Sequence, residues 1–475
     1  MSCQDVDETF RTADGSCNNL DRPSIGKSKG VYIRELPNAY CDGYQTPRTC
    51  SADGGNLPSS RRVSFTLFPE LNRPDHDCSL LMMQFGQFID HDIALAGNTK
   101  VPNGKGISCC SEIYTDFPEF LHPECFAIRL PPDDPYYAQY GEYCMNFVRS
   151  AATSRPNCYL GPREQINQVT SWIDGSQIYG SDMSRQELVR ASSDGLLLTT
   201  TINNRPNLPY QEQGGARNDG PDICQSPDPD KKCFYAGDLR ANLVVHITVL
   251  QTIFLREHNR VAGIMSRLNP HWSDEVLFQE TRRVVAAEMQ HIVYNEFLPN
   301  LLNYDTLVKY ELLLKRQGYF RGYDPSVDGR IGIAFGAAAY RLHSLIQGKC
   351  LMNRQSHSYS FNLSQVFNNP EMLYTPGCLD GLTRGLVDEP QQQHDRWFTT
   401  EITNQLFRLH DKHYGLDLLA IDVQRGRDSG LPGYTQYRTY CGLSEINTWE
   451  DMVVVLGQDN TDRIRTIYRT VEVNN

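Results

Sequence analysis

The sequence predicts a mainly α protein, a single large helical domain with long disulfide-stapled loops and few short strands. Three observations carry this. Apolar residues recur at helical spacing over residues 79–96, 242–266 and 273–297, with further helical stretches near 333–347 and between 399 and 414. Strand-like alternation is short and scattered, and no repeat or low-complexity linker divides the 475 residues. Fifteen cysteines lie largely in loop-like stretches, where they can staple what the helices do not hold.

The first 70 residues read as an irregular arm, rich in turn signals such as SADGGNLPSSRR, and the domain proper runs from 71 to 475. Residues 79–96 form its first strong helix. Residues 97–167 are loop-rich and hold five cysteines. Loops this long in a compact domain need staples or a function. Cys41 and Cys50 flank DGYQTPRT, and Cys224 and Cys233 flank QSPDPDKK. Local pairs of this kind point to disulfides and an oxidising compartment, so the protein is expected to be secreted, its signal peptide already removed. Zinc would call for two successive CxxC pairs, which are missing. One sequon, Asn362-Leu-Ser, fits secretion.

With 40% hydrophobic and 21% charged residues the chain is globular. A net charge of -12 argues against nucleic acid or an anionic membrane as partner. No apolar run reaches the roughly 18 residues of a membrane span. The richest, residues 241–255, is interrupted by Asn242, His246 and Gln251.

The stretch QFGQFIDHDIALAG buries charge in an apolar helix. Two carboxylates and an imidazole there cost several kcal/mol each unless paired or metal-bound. Gln87, Asp90 and His91 are offset by three and four and share one helical face. Asp92 points about 100° away, toward a separate site. A lone buried histidine is more often a satisfied core residue than a reactive one. The apolar setting and the second carboxylate shift that balance. In VTSWIDGSQIYGS, Thr170, Trp172, Asp174 and Ser176 alternate and offer hard oxygen donors, suited to calcium, with Asp92 as the second charge. Alone, this loop is also compatible with an ordinary turn. Arg240 opens a long apolar helix. His343 follows Arg341 in AAAYRLHSLIQ, and Asp422 precedes Arg425 and Arg427 in AIDVQRGRDSGLPGY. Such arginines serve as a solvated rim or as ligands of an anionic group.

Taken together, GQFIDHD, REQINQVTSWIDGSQIYGS, AGDLRAN with LREHNR, MQHIVYNEFLP, AAYRLHSLI and QRGRDSGLPGY resemble the animal haem peroxidases. That family includes myeloperoxidase, lactoperoxidase and the peroxinectin-like and chorion-type enzymes of invertebrates. Six motifs fall in family order between about residues 71 and 441. The resemblance implies haem b and calcium as cofactors, and hydrogen peroxide and a small reducing donor (a phenol, iodide, bromide or thiocyanate) as substrates. It implies His91 as the distal base with Gln87 beside it, Arg240 as the distal arginine, and Asp90 as a residue able to form an ester with haem. His343 becomes the proximal iron ligand with Asp422 as its hydrogen-bond partner. Arg341 and Arg425 face the propionates, and Asp92, Thr170, Trp172 (by its carbonyl), Asp174 and Ser176 form the calcium site.

Several positions depart from the family. Leu243 stands where vertebrate members carry a second ester-forming glutamate, and Val244 where myeloperoxidase carries a methionine, so one ester at most is expected and less capacity for chloride. Arg341 lies one residue nearer His343 than usual. Asp422 replaces an asparagine and Ser429 a histidine. The family continues beyond the position of Asn475, where the partner of Cys441 would lie, so Cys441 is expected to be unpaired or joined to a segment or chain outside this sequence. The rival expectation is a peroxidase-fold adhesion or scaffold protein, but no RGD or KGD tripeptide is present. A calcium-binding hydrolase would need an activated Ser or Cys motif, and none is found.

Overall fold

The computed structural model describes residues 3, 9–102, 104–111, 113, 117–153, 160–211, 224–354 and 358–471. Helices dominate, and strands form only two- and three-stranded pieces. The principal helices are α1 (Ser60–Leu67), α2 (Leu80–Ile93), α3 (Val245–Leu268), α4 (Asp274–Ile292), α5 (Cys378–Asp388) and α6 (Leu418–Asp428).

α2 lies inside. Leu80, Phe85, Phe88 and Ile89 join one core with Val245, Ile247, Phe254 and Leu382. Phe88 stacks on Phe254 of α3 at 5.1 Å. A helix buried on nearly every side has no solvated face for its polar residues, so those of α2 must find partners or line a cavity. Ser273 caps α4, its Oγ accepting from Val276 N at 3.3 Å. Asp417 caps α6 by accepting from Ala420 N. α5 packs on the hairpin Lys349–Asn353/Ser358–Asn362, with Gly385 at the contact, where a Cβ would meet Leu351 O at 2.0 Å.

The segment before residue 71, expected to be irregular, carries α1. Arg61 of α1 is fully buried between Asp134 and Asp417, 2.7 Å from each. Removing one partner of such an ion group strands a buried charge.

Two helical expectations fail. Residues 333–347 do not form one helix. The chain makes a π turn at Phe335–Ala339, breaks, and resumes as a 3-10 turn at His343–Leu345. Tyr340 stacks on Phe335 at 4.8 Å and donates to Gly86 O, which pulls the turn wide. Leu342 then sits at φ 33, a left-handed conformation costly for a branched residue and typical of functional sites. Between 399 and 414 only Thr400–Thr403 is an α-helix. There the chain doubles back, with Leu406 and Leu416 exchanging backbone hydrogen bonds.

Among the described residues five disulfides staple the loops: Cys3–Cys17, Cys41–Cys50, Cys109–Cys125, Cys110–Cys144 and Cys224–Cys233. Both pairs expected from the sequence form. Cys441 is free and exposed, as expected, but Cys78, Cys350 and Cys378 are free as well. Native-state alkylation should therefore label Cys441 first. Cys350 and Cys378, which are buried, should react only on unfolding. Labelling of Cys350 in the native protein as fast as Cys441 would contradict this packing.

Candidate active site

A cavity of about 540 Å³ opens against α2 and is lined by Gln87, Asp90, His91, Arg240, Arg341, His343, Asp422 and Arg425, all eight residues expected to surround haem. Leu243 and Val244 also line it.

His91 is buried on the cavity wall, and its Nδ1 has no hydrogen-bond partner. Burial, and then the charge of Arg240, lower its pKa to about 3, so the imidazole is neutral at physiological pH. Gln87 accepts a hydrogen bond from Gln84 Nε2 at 2.8 Å. Burial raises the pKa of Asp90, against the pull of Arg240 and Arg341.

Arg240 does not open the helix. It precedes α3 by five residues, in turns where the Asn242 side chain bonds both the N–H and the C=O of Phe234 and so competes with helical pairing. This irregular stretch carries Arg240 across to the C-terminal end of α2. Nη2 donates to His91 O at 3.2 Å and Nη1 to Ala94 O at 3.1 Å, satisfying carbonyls the helix leaves unpaired. Asp238 grips the other edge: Nε and Nη2 donate to its two carboxylate oxygens, both at 2.9 Å. Burial pushes the Asp238 pKa up, but Arg240 and then His91 outweigh it and bring it to about 2.

His343, which lines the same cavity, has its Nδ1 2.6 Å from Asp422 Oδ2 on α6. That leaves Nε2 as the ring nitrogen open to a metal. Arg341 Nε is 3.7 Å from Asp422 Oδ1 and has no hydrogen-bond partner. Arg425 is more committed, donating to Ser150 Oγ at 2.7 Å and to Asn98 Oδ1 at 2.9 Å.

Asp92 faces away from the cavity, as its helical angle requires. It accepts from Ser176 N at 2.6 Å and Gly175 N at 3.2 Å. Thr170 Oγ1 lies 3.0 Å from Asp174 Oδ1 and 3.5 Å from the Trp172 carbonyl. The segment is a bend leading into the short helix Ser176–Tyr179, rather than an extended strip. Both acids are buried, and Asp174 Oδ2 has no partner. Burial raises both pKa values, and the Asp174 charge raises that of Asp92 further.

Sequence reasoning passed over Asp238, Tyr32 and His246. The spacing of Asp238 from Arg240 in AGDLR is its one local signal. Tyr32 comes from the arm, lines the cavity, and donates to Asn167 Oδ1 at 3.2 Å. His246, two residues into α3, also lines the cavity, with Nε2 unpartnered.

A family model described as animal haem peroxidase matches residues 10–473. Chorion peroxidase of Drosophila melanogaster is 36% identical over 479 residues, covering 98% of this chain and 57% of that protein. A peroxidasin homolog of Mus musculus is 38% identical over 483 residues, covering 95% of this chain and 31% of that protein. The chain thus spans about half, or less, of the length of these relatives. Among solved structures, peroxidase A from Dictyostelium discoideum superposes with a TM-score of 0.77 at 24% identity, covering 98% of this chain and 84% of that one.

Proposed function

This chain belongs to the animal haem peroxidase family, and we propose that it is a peroxidase that uses hydrogen peroxide to oxidise small donors outside the cell, phenols foremost and iodide, bromide or thiocyanate next. The observation that most supports this is one cavity lined both by His91 and Arg240 and by His343 paired with Asp422. Five disulfides favour an oxidising compartment.

The lining fits haem. His343 offers a free Nε2, and the unpartnered Arg341 Nε suits a carboxylate of the ligand. Aliphatic Leu243, Val244 and Ile421 suit a flat apolar ring. Haem held by His343 would supply an iron with one open position for peroxide and a store for the electrons passed on by the donor.

The protein's part is proton and charge management. His91, neutral and with its Nδ1 3.8 Å from Asp238 Oδ1, takes a proton from incoming peroxide and returns it to the departing oxygen. Arg240 faces the same space with a fixed positive charge and stabilises negative charge developing on that oxygen. Gln87, anchored by Gln84, orients a water or halide beside His91. Arg341 and Arg425 hold the ligand's acid groups, with Arg341 the freer of the two.

The second site fits calcium. Two buried carboxylates, one Asp174 oxygen of which has no hydrogen-bond partner, two hydroxyls and a peptide carbonyl form a hard-oxygen set suited to calcium. Asp92 follows His91 directly, so an ion there would clamp the catalytic base through the backbone.

Steady-state assays with peroxide and a panel of phenol, iodide and thiocyanate test the proposal. Turnover of at least one donor is expected. A haem-loaded protein that oxidises none would favour the adhesion or scaffold reading.

Two outcomes follow from particular residues. Leu243 and Val244 cannot form esters, so haem should be tied at Asp90 or not at all. Acid–acetone extraction and peptide mass analysis check this, and a haem adduct on the peptide bearing Leu243 would contradict it. Asp422, accepting from His343 Nδ1, should give the ring more anionic character than asparagine would and so stabilise ferric iron. Asp422→Asn should raise the reduction potential. An unchanged or lower potential would mean that this hydrogen bond does not reach the iron.

A further inference from the structure

Arg240 stands between two carboxylates that hold it very unequally. Asp238 makes three short contacts: Arg240 N to Oδ1 at 2.7 Å, Nε to Oδ1 at 2.9 Å and Nη2 to Oδ2 at 2.9 Å. Asp90, on the cavity, reaches Nη1 only at 3.4 Å. His91 O and Ala94 O take two more of the five guanidinium N–H groups, and the fifth, on Nη1, makes the long contact to Asp90. Asp238 is itself held: its N–H donates to Gln177 O at 2.9 Å, and at Gly237 a Cβ would lie 2.4 Å from Gly180 N, so this backbone seats against the 177–180 turn at a distance only glycine permits.

We propose that Asp238 is a positioning residue that limits Arg240 to a single long contact with Asp90, keeping the guanidinium charge for peroxide and the Asp90 carboxyl available to meet the cofactor. This rests on the peroxidase reading of the cavity. Bidentate geometry is what makes the choice between the acids decisive. An arginine gripped by two parallel N–H···O bonds has lost its freedom to rotate toward a third group. Asparagine at 238 would offer one acceptor and an NH2 facing the guanidinium hydrogens. Asp90 would then be the better anion, and Arg240 would turn to it. Both would suffer together: the charge is neutralised by a neighbour, and the carboxyl is occupied.

Coupling between Asp238→Asn and Asp90→Asn separates this from a merely structural role. Asp238→Asn should lower the second-order rate with peroxide by about 10²–10³, as loss of an aligned charge does. It should also leave KM for the donor unchanged and reduce the fraction of haem resisting acid–acetone extraction. Adding Asp90→Asn removes the competing acid and should restore the peroxide rate about tenfold or more. Fluoride affinity, read from the absorption spectrum, follows Arg240 without turnover and should fall and recover in parallel. Losses that add, with no recovery in the double variant, would overturn the proposal. Parallel fluoride behaviour in a protein that never consumes peroxide would uphold it while counting against the peroxidase reading. Circular dichroism and haem content establish folding. Should Asp238→Asn not fold, Asp238→Glu, which keeps the charge but displaces it by a methylene, enters the same cycle with the same expected recovery and the same overturning result.

Discussion

His91→Ala should bind haem and lose about 10²–10⁴ of the rate of peroxide cleavage, the range removed with a general base. The side chain makes no hydrogen bond through Nδ1 and borders a cavity, so its removal takes away chemistry more than packing. Arg240→Leu should fall comparably, through lost charge stabilisation. The pH profile separates the two roles. Burial and Arg240 put the His91 pKa at about 3, so the base stays neutral and the wild-type rate should be flat from about pH 7 to pH 5. Stopped-flow mixing with peroxide measures this. Near-normal rates in His91→Ala, or a wild-type inflection at the ordinary histidine value, would remove His91 from its assigned role.

Calcium removal should be the largest stability effect. Without the ion, burial raises the pKa values of Asp92 and Asp174 above the ordinary carboxylate value, and the Asp174 charge raises that of Asp92 further. A carboxyl raised in this way favours folding most below its unfolded pKa, and that contribution is lost as pH rises through the folded value. The calcium-free protein should therefore be less stable at neutral pH than near the ordinary carboxylate value, while saturating calcium abolishes the trend. A bound ion at a hundredfold excess over Kd would contribute about 2.7 kcal/mol. Thermal unfolding with calcium and with EGTA at the two pH values is the test. Asp174→Asn should shrink the difference. A midpoint indifferent to chelation at both would show that no cation is held there.

Much of this site could be read from local patterns, because its groups are set by short-range geometry. The three- and four-residue offsets of Gln87, Asp90 and His91 put them on one face of α2, and Asp92 on another, wherever that helix packs. Cys41 and Cys50 pair across a turn-rich loop for equally local reasons. What escaped depends on distant contacts. Residues 333–347 keep a helical pattern, but the stacking of Tyr340 on Phe335 and its bond to Gly86, 254 positions away in the chain, open the π turn. Left-handed Leu342 then re-aims His343. No periodicity reports a contact of that range. Tyr32 reaches the cavity from the arm by the same kind of long-range packing, through Asn167, which also caps the end of α2 by donating to Ile93 O. Asp238 is different. It lies beside Arg240 in the chain, and its role emerges only once both Arg240 and the end of α2 have positions.

The most direct test of the central claim is the visible spectrum of the purified, haem-loaded protein as one equivalent of hydrogen peroxide is added, followed by a phenol. An intense Soret band is expected that shifts promptly on adding peroxide, fails to do so promptly in His91→Ala, and returns to its starting position as the phenol is oxidised. A protein that takes up no haem, or whose Soret band neither shifts with peroxide nor recovers with any donor, would contradict that claim.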